Sequence, residues 1–269
     1  VKALAMDGPA KANSGHQGTA MALAPLAHVL FTRVMRYDAT APDWPDRDRF
    51  VLSAGHASIL QYAFLYLTGF GLTLEDIEQF RQWGSATPGH PEVHHTAGVE
   101  VTTGPLGQGF ANAVGMALAE RHLRTTFGAD VIDHRTFVIA GDGCLMEGLS
   151  HEAIDLAGHL RLSRLIVLYD DNQITIDGRT ELSTSIDVTG RFEAVGWRVE
   201  SVDGQDGATV SAAIGRARSA DAPTLIRCRT TIGFGSPNKA GTSGIHGSPL
   251  GAAEVAATKD ALGWPYGPF

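Results

Sequence analysis

The chain reads as an α/β domain: a parallel central sheet with helices on both faces. Three features carry that reading. Five short runs rich in valine, isoleucine and leucine alternate with segments of helical period. Most of these runs are apolar throughout, as strands covered on both faces must be. The 32 glycines sit largely in the loops between the runs, where a backbone turns sharply or approaches a ligand.

Taken in chain order, the first helical pattern covers about Thr19–Arg33. A strand follows at Arg49–Ser53, then a helix at Ala57–Thr68. Leu74-Glu75-Asp76 open another helix behind Thr73, a good N-cap residue followed by acids in the first turn. The next helix spans Gly107–Thr125, followed by a strand at Arg135–Ala140, a helix at Leu149–His159 and a strand at Leu165–Asp170. Ser185 and Asp187 mark the start of a helix over Val188–Val195. A strand at Trp197–Val202, a helix at Ala208–Ser219 and a strand at Thr224–Arg229 complete the alternation. Thr230–Gly251 is a long Gly/Ser/Pro/Asn loop without a period, and a loop of that length in a compact domain is functional or disordered. No Pro/Ser-rich linker and no internal repeat divides the chain, so residues 1–269 read as one domain.

Composition narrows the functional classes. A chain of 269 residues with 43% hydrophobic and 19% charged residues can bury a real core, which excludes disorder as its main state. The net charge is −8 and no block of lysine and arginine occurs, so a nucleic-acid partner is not expected. An anionic ligand would need a metal ion or backbone donors. The longest apolar stretch, around Ala22–Phe31, contains Pro25 and His28 and is too short to span a bilayer. No signal peptide is visible, and no membrane association is expected. Cys144 and Cys228 fit neither a metal spacing nor a disulfide framework, which favours a reducing, cytoplasmic setting. The chain starts at Val1 and stops abruptly at Pro268-Phe269, as a piece of a longer protein would.

Two constellations carry chemistry. The first is Gly141-Asp142-Gly143 together with Asp171-Asn172, each directly after an apolar strand. In an open parallel sheet ligands bind outside the carboxyl ends of the strands. A carboxylate and an amide carbonyl meeting there form a hard-oxygen set suited to Mg²⁺ or Ca²⁺ and poorly suited to zinc. Gly143 lets the backbone approach a phosphate. Either piece alone reads as a turn; both together, each on a strand end, read as a metal–diphosphate site. The second constellation is histidine after glycine in four loops, at His16, His56, His90 and, before Gly247, His246. Singly each is a satisfied loop residue; convergent, they would supply donors and proton carriers near neutral pH.

Other features are weaker. Thr102-Thr103-Gly104-Pro105-Leu106-Gly107-Gln108-Gly109 leads into a helix and could cradle an anion or lie flat on a ring, but it is neither a dinucleotide fingerprint nor a Walker loop. His151-Glu152 lacks the second histidine of a zincin, and no Gly-x-Ser-x-Gly elbow occurs. His94 and His95 read as a solvated or interface pair; His28, His122, His134 and His159 read as structural or exposed. Glu147 and Glu152 are either exposed acids at a helix start or part of a carboxylate cluster at a subunit contact.

In this order the motifs resemble the N-terminal, diphosphate-binding domain of transketolase, essentially from end to end. They are Ser14-Gly15-His16, Asp48 through His56, Trp83-Gly84-Ser85, Pro88-Gly89-His90-Pro91-Glu92, Thr102 through Gly109, Gly141-Asp142-Gly143 with Asn172, Gly235 through Lys239, and His246-Gly247. The resemblance implies the thiamine-diphosphate-binding fold, with thiamine diphosphate and Mg²⁺ (or Ca²⁺) as cofactors. Asp142, Asn172 and the backbone carbonyl of Ile174 would hold the metal. Gly143, His56 and His246 would contact the diphosphate, and Gly104, Pro105 and Leu106 would line the thiamine, with Leu106 and Ile176 near its thiazolium. His16, His90 and His246 would act in catalysis at sugar hydroxyls. Glu147, placed with the cofactor set, would join Glu152 in a carboxylate network across a dimer interface.

The implied reaction is reversible transfer of a two-carbon glycolaldehyde unit from a ketose phosphate to an aldose phosphate, as in the pentose phosphate pathway. The implied partners are sugar phosphates and either a second copy in a homodimer or a complementary chain carrying the pyrimidine domain. That domain, which supplies the family's activating glutamate, has no match here, nor has the C-terminal domain, so the isolated chain is expected to be inactive. One local departure is Gln17, where the family usually has proline. Dihydroxyacetone synthase, a non-catalytic cofactor-binding or assembly module and a generic nucleotide-binding α/β domain are the competing readings.

Overall fold

The computed structural model describes residues 1–269. Five parallel strands form the central sheet: β1 (Arg49–Leu52), β2 (Thr136–Gly141), β3 (Leu165–Asp171), β6 (Arg198–Asp203) and β7 (Thr224–Arg229). Their order is β1-β2-β3-β7-β6, so β3 lies at the centre. A separate two-stranded hairpin, β4 (Ile174–Thr175) and β5 (Gly178–Arg179), follows β3 directly.

Each strand of the sheet's centre is apolar on both faces because each face meets a different helix layer. Phe50, Leu52, Phe137, Ile139, Ile166, Leu168 and Ile226 point into a core built with α1 (Lys2–Ala12), α2 (Gln17–Val29), α3 (Ser58–Leu67) and α9 (Gly207–Ala217). Their strand neighbours Val51, Val138, Ala140, Val167, Tyr169 and Leu225 point the other way. That side packs on α5 (Gln108–Phe127), α7 (Gly148–His159) and α8 (Val188–Ala194), around Phe110, Phe192 and Trp197. Two-residue alternation in a buried strand thus fills two cores at once. The edge strand β6 is covered less and carries Glu200 and Ser201 among its apolar residues.

All five expected strands form, with ends displaced by no more than one residue. The capping box at the start of α4 (Leu74–Glu78) is present, with the Thr73 side chain accepting from the Asp76 amide and Asp76 accepting from Thr73. At α8 the cap is Asp187, whose carboxylate accepts from the Gly190 amide; Ser185 takes no part, because it lies two residues too early. The helix expected over Thr19–Arg33 starts at Gln17 and passes into a single π turn over Leu30–Val34.

Three helices escaped the sequence pattern. In α1, Gly8 and Pro9 both argue against a helix interior. Packing overrides them, since a Cβ at Gly8 would fall 2.9 Å from Ile59 Cδ1. The short α6 (Asp142–Met146) starts on the Gly-Asp-Gly motif itself. In α10 (Ala252–Ala261) the buried residues are Glu254, Thr258 and Lys259, so its inner face has no apolar stripe to read. Lys259 pairs with Asp7 at 2.8 Å and ties α10 to α1. Cys144 and Cys228 are both buried free thiols. No helix is long and apolar enough to cross a membrane.

Candidate active site

Because the five strands are parallel, their carboxyl ends lie along one edge of the sheet, and the chemistry collects there. A cleft of about 440 Å³ is lined by His16, His56, His90 and His246, by Gly104, Leu106, Asp142, Gly143 and Glu147, and by Asn172, Ile174 and Ile176. His56 follows β1, Asp142 follows β2, Asn172 follows β3, and His246 sits in the long loop after β7. His16 enters from the loop between α1 and α2.

The strand pairing brings Asp142 and Asn172 together. Gly141 is in register with Asp170, so the residues just beyond the two strands face the same space. Asp142 Oδ1 accepts from the Tyr169 hydroxyl, whereas Oδ2 is buried without a partner. Burial, and then the neighbouring Asp171, push the Asp142 carboxyl up to about 6 against the opposing pull of the Tyr169 hydroxyl, the Gln173 amide and Arg229. An unpartnered, desolvated carboxylate oxygen beside further carboxylates is a place where a divalent cation is favoured. Asn172 is held on both sides: its Nδ2 donates to Asp170 Oδ2 at 2.8 Å and its Oδ1 accepts from the Ile174 amide at 2.8 Å. No cluster of three His, Cys, Asp or Glu side chains offers an alternative metal site. The donor set available is therefore one carboxylate, one amide oxygen and backbone carbonyls, which fits Mg²⁺ or Ca²⁺ and not zinc.

The approach to these groups is kept open by glycine. A Cβ at Gly143 would lie 2.9 Å from Leu106 Cδ1. Gly55 is tighter still: a Cβ there would fall 2.5 Å from Thr103 Oγ1 and 2.8 Å from the Gly104 nitrogen. The loop after β1 and the loop entering α5 are thus in backbone contact beneath the cleft.

The histidines form one group. Ring centroids of His16 and His56 are 5.1 Å apart, those of His56 and His246 are 5.3 Å apart and nearly parallel, and those of His16 and His246 are 6.0 Å apart. Burial drives His16 down to about 4, helped by the nearby Arg81 guanidinium, and drives His56 down to about 3. His90 and His246 are lowered by burial as well. All four rings are therefore neutral near pH 7, and the His246 Nδ1 is buried with no partner.

The whole chain, residues 1–269, matches the family model described as "Transketolase, thiamine diphosphate binding domain". The chain belongs to the transketolase family. It is 57% identical over 270 residues to the transketolase of Cereibacter sphaeroides, covering 100% of this chain and 41% of that one. The solved transketolase of Leishmania mexicana superposes with a TM-score of 0.95 at 51% identity, covering 97% of this chain and 40% of the other. A Pichia stipitis transketolase in complex with sedoheptulose-7-phosphate gives a TM-score of 0.95 at 48% identity, over 99% of this chain and 40% of that one. The chain thus spans about 40% of the length of these transketolases.

Most residues singled out from the transketolase resemblance line the one cleft. Pro105 and Glu152 are exceptions: Pro105 is exposed and outside the lining, although Gly104 and Leu106 on either side of it are inside. Ile176 sits at the rim on the turn of the β4–β5 hairpin, 61% exposed. Glu147 is exposed at the cleft mouth just before α7, and Glu152 lies on the exposed side of that helix, away from the lining. His94 and His95 are exposed, and the His95 ring meets the Ser85 carbonyl at 2.8 Å. His134 is buried against Asp46. His28, His122 and His159 are exposed.

Gln17, the local departure from the transketolase pattern, is buried and donates through its Nε2 to the Ser248 carbonyl, so it links the His16 and His246 loops. Two further residues emerge only from the structure. Asp170 is buried beside Asn172, where it accepts from the Thr230 hydroxyl and from the Asn172 amide. In the sequence it shows only as the first of two aspartates ending an apolar strand, which does not mark it apart from Asp171. Arg81 reaches the His16 ring from the loop that carries Trp83-Gly84-Ser85, and no sequence pattern pairs it with that ring.

Proposed function

We propose that this chain is the diphosphate- and metal-binding half of a transketolase active site. The protein that carries it would transfer a two-carbon ketol unit between sugar phosphates. The observation that carries this reading is the convergence of the unpartnered Asp142 Oδ2 with four neutral, loop-borne histidines in one cleft at the strand ends. Membership of the transketolase family supports it, and so does the sedoheptulose-7-phosphate complex of the Pichia stipitis relative.

Asp142, Asn172 and the Ile174 carbonyl are the groups that would hold Mg²⁺ or Ca²⁺. Thiamine diphosphate, when bound, would supply an electron sink for breaking a carbon–carbon bond next to a carbonyl. The protein's share is binding, orientation and proton transfer. Gly143 would give the diphosphate close backbone approach, with His56 and His246 beside it, and Gly104, Leu106 and Ile176 would form the apolar wall for the thiamine rings. A neutral imidazole donates through one nitrogen and accepts through the other, so His16, His90 and His246 suit proton movement at sugar hydroxyls. Burial keeps these rings neutral in the physiological range.

The reading also holds that the site is completed by a pyrimidine domain, carried by a second copy in a homodimer or by a complementary chain. The two buried free thiols favour a cytoplasmic setting. The test is a ketol-transfer assay on the complete protein with a ketose phosphate donor and competing acceptors. Ribose 5-phosphate should be the better acceptor. Preference for formaldehyde would instead indicate a dihydroxyacetone synthase, and no turnover with any acceptor would indicate a non-catalytic binding module.

A further inference from the structure

We propose that Arg81 is a positioning residue that fixes His16 in the Nε2–H tautomer, so that His16 meets the cleft as a hydrogen-bond donor. Arg81 follows α4 and has a left-handed backbone, φ 63°. Its amide is anchored to the Thr87 carbonyl at 2.9 Å. Its side chain passes over Gly89, where a Cβ would lie 3.4 Å from Nε, so the third histidine loop leaves room for it. The guanidinium then reaches the first histidine loop, donating from Nη1 to Ser14 Oγ at 2.8 Å and meeting His16 Nδ1 from Nη2 at 3.1 Å.

The direction of that second bond is forced. A guanidinium has donors only and keeps its charge at any working pH. His16 Nδ1 must therefore offer its lone pair, and in a neutral imidazole the single ring proton then sits on Nε2. Nε2 is on the cleft side, close enough to Gly247 that a Cβ there would lie 3.5 Å from it. The groups facing the ring are Arg81, His56, His90 and His246, with no carboxylate among those that act on it. Protonation would put an Nδ1–H against the guanidinium and a cation among three other imidazoles, so the neutral donor form persists well into acid. Only the target of that donor, a sugar oxygen, rests on the proposed function; the tautomer does not.

The test uses the complete protein labelled with ¹⁵N-histidine, with His16 identified by difference against His16→Asn. The expected spectrum near neutral pH shows an unprotonated Nδ1 and a protonated Nε2. In Arg81→Met, His16 should become an exchanging mixture of both tautomers with a raised pKa. The acid limb of kcat/KM should then move to higher pH, and kcat/KM should fall about tenfold, the size expected for losing one hydrogen bond to a charged group. Arg81→Lys keeps the charge but not the fork, and should restore less of the tautomer preference than of the low pKa. A protonated Nδ1 in the unsubstituted protein would overturn the inference without any variant. An Arg81→Met spectrum identical to the original would also overturn it. The expected spectrum in a protein without ketol transfer would support the role of Arg81 while counting against the function.

Discussion

His56 packs against His16 and His246, and adding a proton to it would strand a cation with no counter-charge. Its folded pKa of about 3, and that of His16 at about 4, lie below the model-peptide value of 6.5. Below pH 6.5 the unfolded chain therefore binds protons that the folded chain refuses. The histidines' share of stability should therefore rise with pH from about 4 to 6.5 and level off above, while Asp142 and Asp170, both raised by burial, contribute in the opposite direction over the same window. The His56 share is read as the difference in denaturant midpoint between the protein and His56→Gln, which should shift in the protein's favour as pH rises through that window. A difference that stays constant or shifts the other way would contradict it. Gln17 makes a second case. As the first residue of α2, its backbone N–H needs no intrahelical partner, so proline fits that position. Gln17→Pro loses a hydrogen bond worth about 1 kcal/mol and gains about 0.4–1 kcal/mol from a stiffer unfolded chain. The expected change in urea stability is within about 1 kcal/mol of zero, so a larger loss would show that the tie to Ser248 matters more than loop stiffness.

At the scale of elements, the cleft floor depends on two loops meeting at Gly55. Gly55→Ala places a methyl against the Thr103 hydroxyl and against the Thr103–Gly104 backbone, and the backbone cannot swing aside. It should cost about 1–3 kcal/mol of stability and weaken thiamine diphosphate binding through displacement of Gly104. Gly148→Ala, at the start of α7 with open space around its Cα, should leave both nearly unchanged. Urea midpoints and cofactor titrations of the two variants check the contrast. The same scale explains what could be read beforehand. Strands β1, β2, β3 and β7 announced themselves because both faces are apolar, and α5 and α7 because their inner stripes are. Helix α10 did not, since it buries Glu254 and Lys259 in polar pairs beside Thr258, and α1 did not, since Gly8 there serves Ile59 rather than the helix. The cleft's histidines and the Asp142–Asn172 pair were legible as motifs. Arg81 and Asp170 were not, because their roles exist only once distant loops and strands have come together.

For the molecule as a whole, parallel strands in the order β1-β2-β3-β7-β6 put the loops after β1, β2, β3 and β7 on one edge, and that edge is where a charged cofactor would seat. The net charge of −8 works against an anionic ligand at long range, so a cation held at Asp142 would matter more than the overall field. The chain covers about 41% of its Cereibacter sphaeroides relative, and on the present account it holds the metal side of a divided site. Residues 1–269 expressed alone should show no ketol transfer, and adding the complementary domain should restore it; turnover by the isolated chain would sink the divided-site view. The most direct test of the central claim is calorimetric titration of the complete protein with thiamine diphosphate, with Mg²⁺ and with a chelator, before and after Asp142→Ala. Saturable binding that requires the cation and weakens at least about tenfold in the variant is the expected result. Equal affinity in the chelator, or an unchanged Kd in Asp142→Ala, would contradict the account.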